Sequence, residues 1–95
     1  MKLNDTQIEA LLITQEECAE VTQAISKILR FGLDSRWKDR SNQERLEEEV
    51  GDLQAMIELL QEKGLVDPEF VRRAASAKRH KLLEWSNIFN EEKAA

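Results

Sequence analysis

Between Ile8 and Leu29 the chain carries apolar residues on two sides of one helix, and no other feature constrains its fold as much. At 100° per residue, Ile8, Leu11, Leu12, Cys18, Thr22, Ile25 and Leu29 form one stripe, which reads as the core face. Ile13, Val21, Ala24 and Ile28 form a second stripe. A helix that is apolar on two sides needs two partners. A chain of 95 residues leaves a large share of its surface in water, so one partner is expected from within the chain and the other from a further copy. Three Gly, one Pro and no Tyr favour an all-α domain over disorder or a small β fold.

Punctuation divides the chain into three helical stretches. Thr6 with Glu9 has capping-box spacing and Gly32 is a stop signal, which predicts a first helix over 7–31. Ser41 with Glu44 repeats the box and Gly64 closes the segment, which predicts a second helix over 42–63. Asp67 before Pro68 is an N-cap followed by proline at the first helical position, opening a third helix that runs to about Trp85. Asn87 to Ala95 reads as a fraying tail or a short extra helix. The expected architecture is a helical hairpin plus a third helix in one domain, 1–95, completing a four-helix-bundle core by oligomerisation. The connection Leu33–Arg40 holds three basic residues and Trp37. That composition suits either ligand contact or an ordinary solvated loop.

Charge narrows the function classes. Fourteen basic residues against nineteen acidic ones give a net charge of −5, which disfavours a nucleic-acid or anionic-membrane surface. The only basic helix is the third, with Arg72, Arg73, Lys78, Arg79 and Lys81, and it lacks the character of a recognition helix. The longest apolar run, Ala10-Leu11-Leu12-Ile13, is far short of the roughly 20 residues that span a bilayer. The opening residues carry no signal-peptide core. One Cys and one His cannot build a zinc site of the usual kind within one chain. A cytoplasmic location is expected.

The carboxylates are the anomaly. Glu17 and Glu20 fall into the second stripe of the first helix, between Ile13, Val21 and Ala24. On the second helix, Glu49 lies between Leu46 and Leu53 on the stripe Leu46, Val50, Leu53, Ile57, Leu60, and Asp52 lies at its edge beside Met56. Glu47, Glu58 and Glu62 project the other way, as solvated residues do. Two antiparallel helices packed on these faces would bring four carboxylates together. Two like charges about 4 Å apart repel by roughly 4 kcal/mol at an effective dielectric near 20, so such a cluster calls for cations or protons. An all-oxygen donor set suits Mg²⁺, with Mn²⁺ as a substitute. A ferritin-type di-iron site would need Glu-x-x-His pairs, and His80 has no such spacing to these acids.

These residues resemble a known signature. Glu16-Glu17-Cys18-Ala19-Glu20, followed some thirty residues later by Glu49-Val50-Gly51-Asp52, is similar to the EExxE … ExxD motif of the MazG-like all-α nucleoside triphosphate pyrophosphohydrolases. The likeness covers roughly residues 8 to 60 and is to the small single-domain form. It implies hydrolysis of a (deoxy)nucleoside triphosphate between the α and β phosphates, giving a nucleoside monophosphate and pyrophosphate. It also implies a homodimer or homotetramer, with Glu17, Glu20, Glu49 and Asp52 as Mg²⁺ ligands and catalytic carboxylates. Glu16 is a further candidate for a ligand or supporting role. Where pyrimidine-specific relatives tend to carry an aromatic residue late in the first helix, this chain has Lys27.

A polyphosphate substrate also needs cations from the protein. Lys27 lies two turns beyond Glu20 on nearly the same helical side, and Arg30 follows one turn later. Lys78, Lys81 and Trp85 form an i, i+3, i+7 series that would set two ammonium groups and a stacking ring beside one ligand; the alternative makes the lysines surface residues and Trp85 core. Two other readings compete: a phosphoribosyl-ATP pyrophosphohydrolase, similarly short with comparable acidic motifs, and a non-catalytic helical interaction protein with a cation-binding groove.

Overall fold

The computed structural model describes residues 2–90, and they fall into two compact units divided between Leu65 and Val66. The first unit contains helix α1 (Asp5–Phe31), the short strands β1 (Arg36–Trp37) and β2 (Arg40–Ser41), and helix α2 (Asn42–Glu62). The second contains helix α3 (Pro68–Trp85). Helix dominates, as expected. The connection read as a loop is a two-stranded antiparallel hairpin in which Trp37 pairs with Arg40. Its turn residue Lys38 has a φ of 60°, a left-handed conformation that costs a residue with a Cβ of order 1–2 kcal/mol. No helix among the described residues is long and apolar enough to cross a membrane.

α1 begins two residues before the expected start because Asn4, not Thr6, is the cap. Asn4 Oδ1 accepts from the Gln7 N–H at 2.8 Å, and Gln7 Oε1 accepts from the Asn4 N–H at 3.0 Å, a reciprocal box. Thr6 lies inside the helix, where its hydroxyl donates to Asn4 Oδ1. α2 starts where the sequence places it, with Ser41 and Glu44 exchanging the two box hydrogen bonds. Gly32 and Gly64 follow the two helices with φ of 98° and 74°, values that favour a residue without Cβ.

α1 and α2 are antiparallel and meet along a seam in which both helices alternate steps of three and four. On α1 the less exposed residues include Gln7, Ala10, Thr14, Glu17, Val21, Ala24 and Ile28, with Ile13 beside them; on α2 they include Asn42, Leu46, Glu49, Leu53, Met56 and Leu60. This is coiled-coil spacing, with each side chain set among residues of the facing helix. The face of α1 read as core is the other one. Ile8 is 43% exposed, Leu12 55%, Ile25 44% and Leu29 81%, and Cys18 is exposed too. The physical reason is width: the 3–4 seam through Ala10 and Ala24 offers small side chains for close approach, and the bulkier stripe faces outward. Only Ala10, Ala24 and Met56 are buried apolar residues among those described.

Two buried polar side chains clasp the ends of the pair. Gln7 Nε2 donates to the Lys63 carbonyl at 2.9 Å, and Asn42 Nδ2 donates to the Gly32 carbonyl at 2.9 Å. Gln7→Ala should lose about 1–3 kcal/mol in a urea melt. Gln7→Glu, which keeps the capping acceptor but cannot donate to Lys63 as a carboxylate, should lose a similar amount. A Gln7→Glu melt matching the native protein would show that the clasp contributes nothing.

In the second unit, Asp67 Oδ1 accepts from the Glu69 N–H and Pro68 occupies the first turn of α3. The helix ends at Ser86, whose N–H and hydroxyl both donate to the Leu82 carbonyl. The Asn90 N–H closes a turn onto the Asn87 carbonyl. Residues 91–95 of the expected tail lie outside the described residues.

Candidate metal centre

Midway along the seam, the 3–4 spacing that places Val21 and Leu53 also places Glu17 and Glu49, both only half exposed. Asp52 follows Glu49 by one turn, at the exposed rim. One carboxylate oxygen from each of Glu17, Glu49 and Asp52 lies within 4.8 Å of the other two. Two helices joined by a short hairpin thus bring together acids more than thirty residues apart in the chain.

Electrostatics in the cluster run against ionisation. Burial raises the Glu17 carboxyl above its ordinary value, and the charges of Asp52, Glu20 and Glu16 push it further. Glu49 is raised in the same way, by burial first and then by Glu20, Asp52 and Glu17, with Arg45 pulling weakly in the other direction. Glu20 is exposed and stands outside the oxygen triad, yet its charge is felt by both glutamates. Glu16 is exposed and acts on Glu17 alone of these two. By contrast, Glu44 at the start of α2 is lowered by its hydrogen bonds to Ser41.

The donor chemistry fits a hard divalent ion. Three carboxylates supply oxygen only, and Mg²⁺–oxygen bonds of about 2.0–2.1 Å put opposite ligands about 4 Å apart. The spread of the triad, within 4.8 Å, is of that order. Glu47, Glu58 and Glu62 are exposed, as their helical phase requires.

The sequence-derived cation candidates separate into three places. Lys27 lines a cavity at the hairpin end of α1 and α2, with Trp37 and Arg45. Arg30 instead lays its guanidinium over the Phe31 ring, 4.9 Å from the centroid. Lys78 and Lys81 lie on α3 in the second unit, where they line a groove with Arg73 and Phe70. Trp85, on α3, is 81% exposed and has no core role within the chain. Arg45 and Asn42 were not singled out from the sequence. The signal for Arg45 was its position one turn before Glu49 on the same face. For Asn42 it was an amide at a seam position just inside a cap.

Fold and site together define an antiparallel helical pair that carries a cluster of three carboxylates drawn from both helices. No protein-family model, curated protein or solved structure matches the chain.

Proposed function

We propose that the protein is a Mg²⁺-dependent nucleoside triphosphate pyrophosphohydrolase of the MazG-like kind, cleaving a (deoxy)nucleoside triphosphate between the α and β phosphates. The observation that carries the reading is the seam triad Glu17, Glu49 and Asp52, with Glu20 beside it. Carboxylates placed at seam positions weaken the helix pair when ionised, and a bound cation reverses that cost. Glu17, Glu49 and Asp52 are the ligands in this reading. A Mg²⁺ ion held there would neutralise phosphate charge and acidify a neighbouring water. Glu20, outside the triad and open to solvent, is the carboxylate left to take the proton from that water. Glu16 supports the cluster through its charge.

The same reading includes a second copy of the chain. Ile8, Leu11, Leu12, Ile25 and Leu29 of α1, with Val50 and Ile57 of α2, leave a broad apolar face on an amphipathic helix pair. Contiguous exposed apolar faces mark interaction sites, and a like pair packed on this one completes a four-helix bundle as a dimer or tetramer. Sedimentation should give at least twice the chain mass.

Product analysis tests the reaction. Ion-exchange chromatography over all canonical nucleoside and deoxynucleoside triphosphates with Mg²⁺ should show a monophosphate and pyrophosphate from at least one of them. Diphosphate with orthophosphate would refute α–β cleavage. Stabilisation by Mg²⁺ without turnover of any nucleotide, phosphoribosyl-ATP included, would leave the cation-binding interaction protein as the reading.

A further inference from the structure

One end of the α1–α2 pair concentrates positive charge in a chain that is acidic overall. The cavity there has a volume of about 350 Å³ and is lined by Lys27, Phe31, Arg36, Trp37, Asn42 and Arg45 among others. Three cations converge on the Trp37 ring. Lys38 Nζ lies 4.4 Å from its centroid, the Arg45 guanidinium carbon 4.9 Å, and Lys27 Nζ 5.9 Å. The negative face of an indole can hold cations in this way, but three positive groups around one ring still repel each other.

No carboxylate pairs directly with them, although the charge of Arg45 reaches Glu49. Among the described residues the ion pairs at this end are Arg36 with Glu44 and Arg40 with Glu48; Lys27, Lys38 and Arg45 have none. Arg36 is further committed by its hydrogen bond to the Asp39 carbonyl at 2.7 Å. Arg45 goes further, because its Nε is buried without a hydrogen-bond partner. A buried, unpaired donor on a charged group is costly unless a ligand supplies the acceptor. The first N–H groups of α2 are not available for the task. Those of Asn42, Gln43 and Glu44 donate to the Ser35 and Leu33 carbonyls and to Ser41 Oγ. Binding at this cavity therefore rests on side chains.

The walls of the cavity are fixed. Asn42 is buried, and its amide ties the start of α2 to the end of α1 through the Gly32 carbonyl. The hairpin pairing of Trp37 with Arg40 positions the backbone that carries the ring. Lys27 and Arg45 are each seven residues from a member of the acidic cluster, Glu20 and Asp52 respectively. Arg45 is also four residues from Glu49, so at the helical rise the positive cavity begins about 6 Å along the pair from the nearest carboxylate and lies about 10 Å from Glu20 and Asp52.

We infer that this cavity is a phosphoryl-binding subsite, in which Arg45 and Lys27 hold an anionic phosphate of the same substrate whose phosphoanhydride lies at the carboxylates. The inference rests on the proposed pyrophosphohydrolase reading for its second half, and on the cavity alone for its first. The phosphate held is either the terminal one of the polyphosphate or a separate phosphate elsewhere on the nucleotide. Trp37 keeps the cations gathered while the cavity is empty. It also orients the Arg45 guanidinium, whose planar fork suits a phosphate's paired oxygens.

Calorimetric titration of the intact protein with inorganic pyrophosphate, in EDTA so that the carboxylates hold no metal, tests the cavity by itself. One pyrophosphate per chain is expected, with affinity at least tenfold weaker in Arg45→Gln and in Lys27→Gln and unchanged in Arg72→Gln on α3. Lys27 is exposed, so its variant keeps the test valid if Arg45→Gln fails to fold. ATP and adenosine 3′,5′-bisphosphate, titrated in the same way, separate the two phosphate sources: the probe whose affinity depends on Arg45 identifies the one used. Absent pyrophosphate binding, or variants that bind as the native protein does, would overturn the inference. That result would stand whether or not Mg²⁺ binds the triad, and loss of Mg²⁺ binding would leave the pyrophosphate titration unaffected.

Discussion

Glu49→Gln should keep the helices, lose Mg²⁺-dependent turnover by more than about a hundredfold, and melt higher than the native protein in EDTA at pH 7. Loss of a supporting hydrogen bond to a metal ligand alone typically costs 10–100-fold, so removing a ligand should exceed that. The stability gain follows from the direction of the pKa shift. Glu49 is raised above its ordinary value of 4.5 by burial and by Glu20, Asp52 and Glu17. A group raised on folding contributes its full stabilisation below the unfolded value and loses it as pH rises through the folded one. At pH 7 without metal, the ionised carboxylate is therefore a burden that a neutral amide lacks. The difference in melting temperature between variant and native protein should vanish below pH 4.5 and open as pH rises. Glu44, whose shift is in the other direction, loses its stabilisation as pH falls through its lowered pKa, in both proteins alike, and so drops out of the comparison. Mg²⁺ should raise the melting temperature of the native protein alone. A variant with undiminished turnover, or one that melts lower in EDTA at pH 7, would remove Glu49 from the metal centre.

Met56→Ala should be the most damaging substitution for the fold. Met56 is the one large apolar side chain buried among the described residues; the other two buried apolar residues, Ala10 and Ala24, are small. It borders a surface cavity of about 240 Å³ with Ala10, Ile13 and Leu59, so truncation would enlarge a space that is already unfilled. Such changes cost about 2–5 kcal/mol. In a chain of this size that is a fall in melting temperature of roughly 10–30 °C. Met56→Leu, which nearly conserves volume, should cost less than about 1.5 kcal/mol. Thermal melts followed by circular dichroism separate the cases, and an alanine variant that melts like the leucine one would show that the seam does not depend on this side chain.

Much of the fold was legible residue by residue. Ser41 with Glu44 and Asp67 with Pro68 mark the starts of α2 and α3 where the structure has them, because capping is satisfied within a few residues. At the start of α1, Asn4 and Thr6 both precede a glutamine or glutamate by three positions, and the sequence does not tell which of the two boxes closes. The stripe taken as the core of α1 was chosen for its bulk. The seam instead runs along the second stripe, where Val21, Ala24 and Ile28 are joined by Ala10, Thr14 and Glu17 at 3–4 spacing. The hairpin at Arg36 to Ser41 left no signal, since its turn residue Lys38 adopts a conformation usual for glycine.

For the site, helical phase alone sets Glu17, Glu20, Glu49 and Asp52 in or beside the apolar stripes of two consecutive helices. Helical phase is local and needs only the 100° step. Only the tertiary structure decided which of them meet. Glu17, Glu49 and Asp52 converge within 4.8 Å while Glu20 stays at the rim, because the seam's register, set by the hairpin length and by the Gln7 and Asn42 clasps, fixes which turns face each other. The gathering of Lys27, Lys38 and Arg45 around Trp37 was likewise beyond the sequence. Like charges from a helix end, a turn and a second helix come together only when the backbone is held by hydrogen bonds elsewhere.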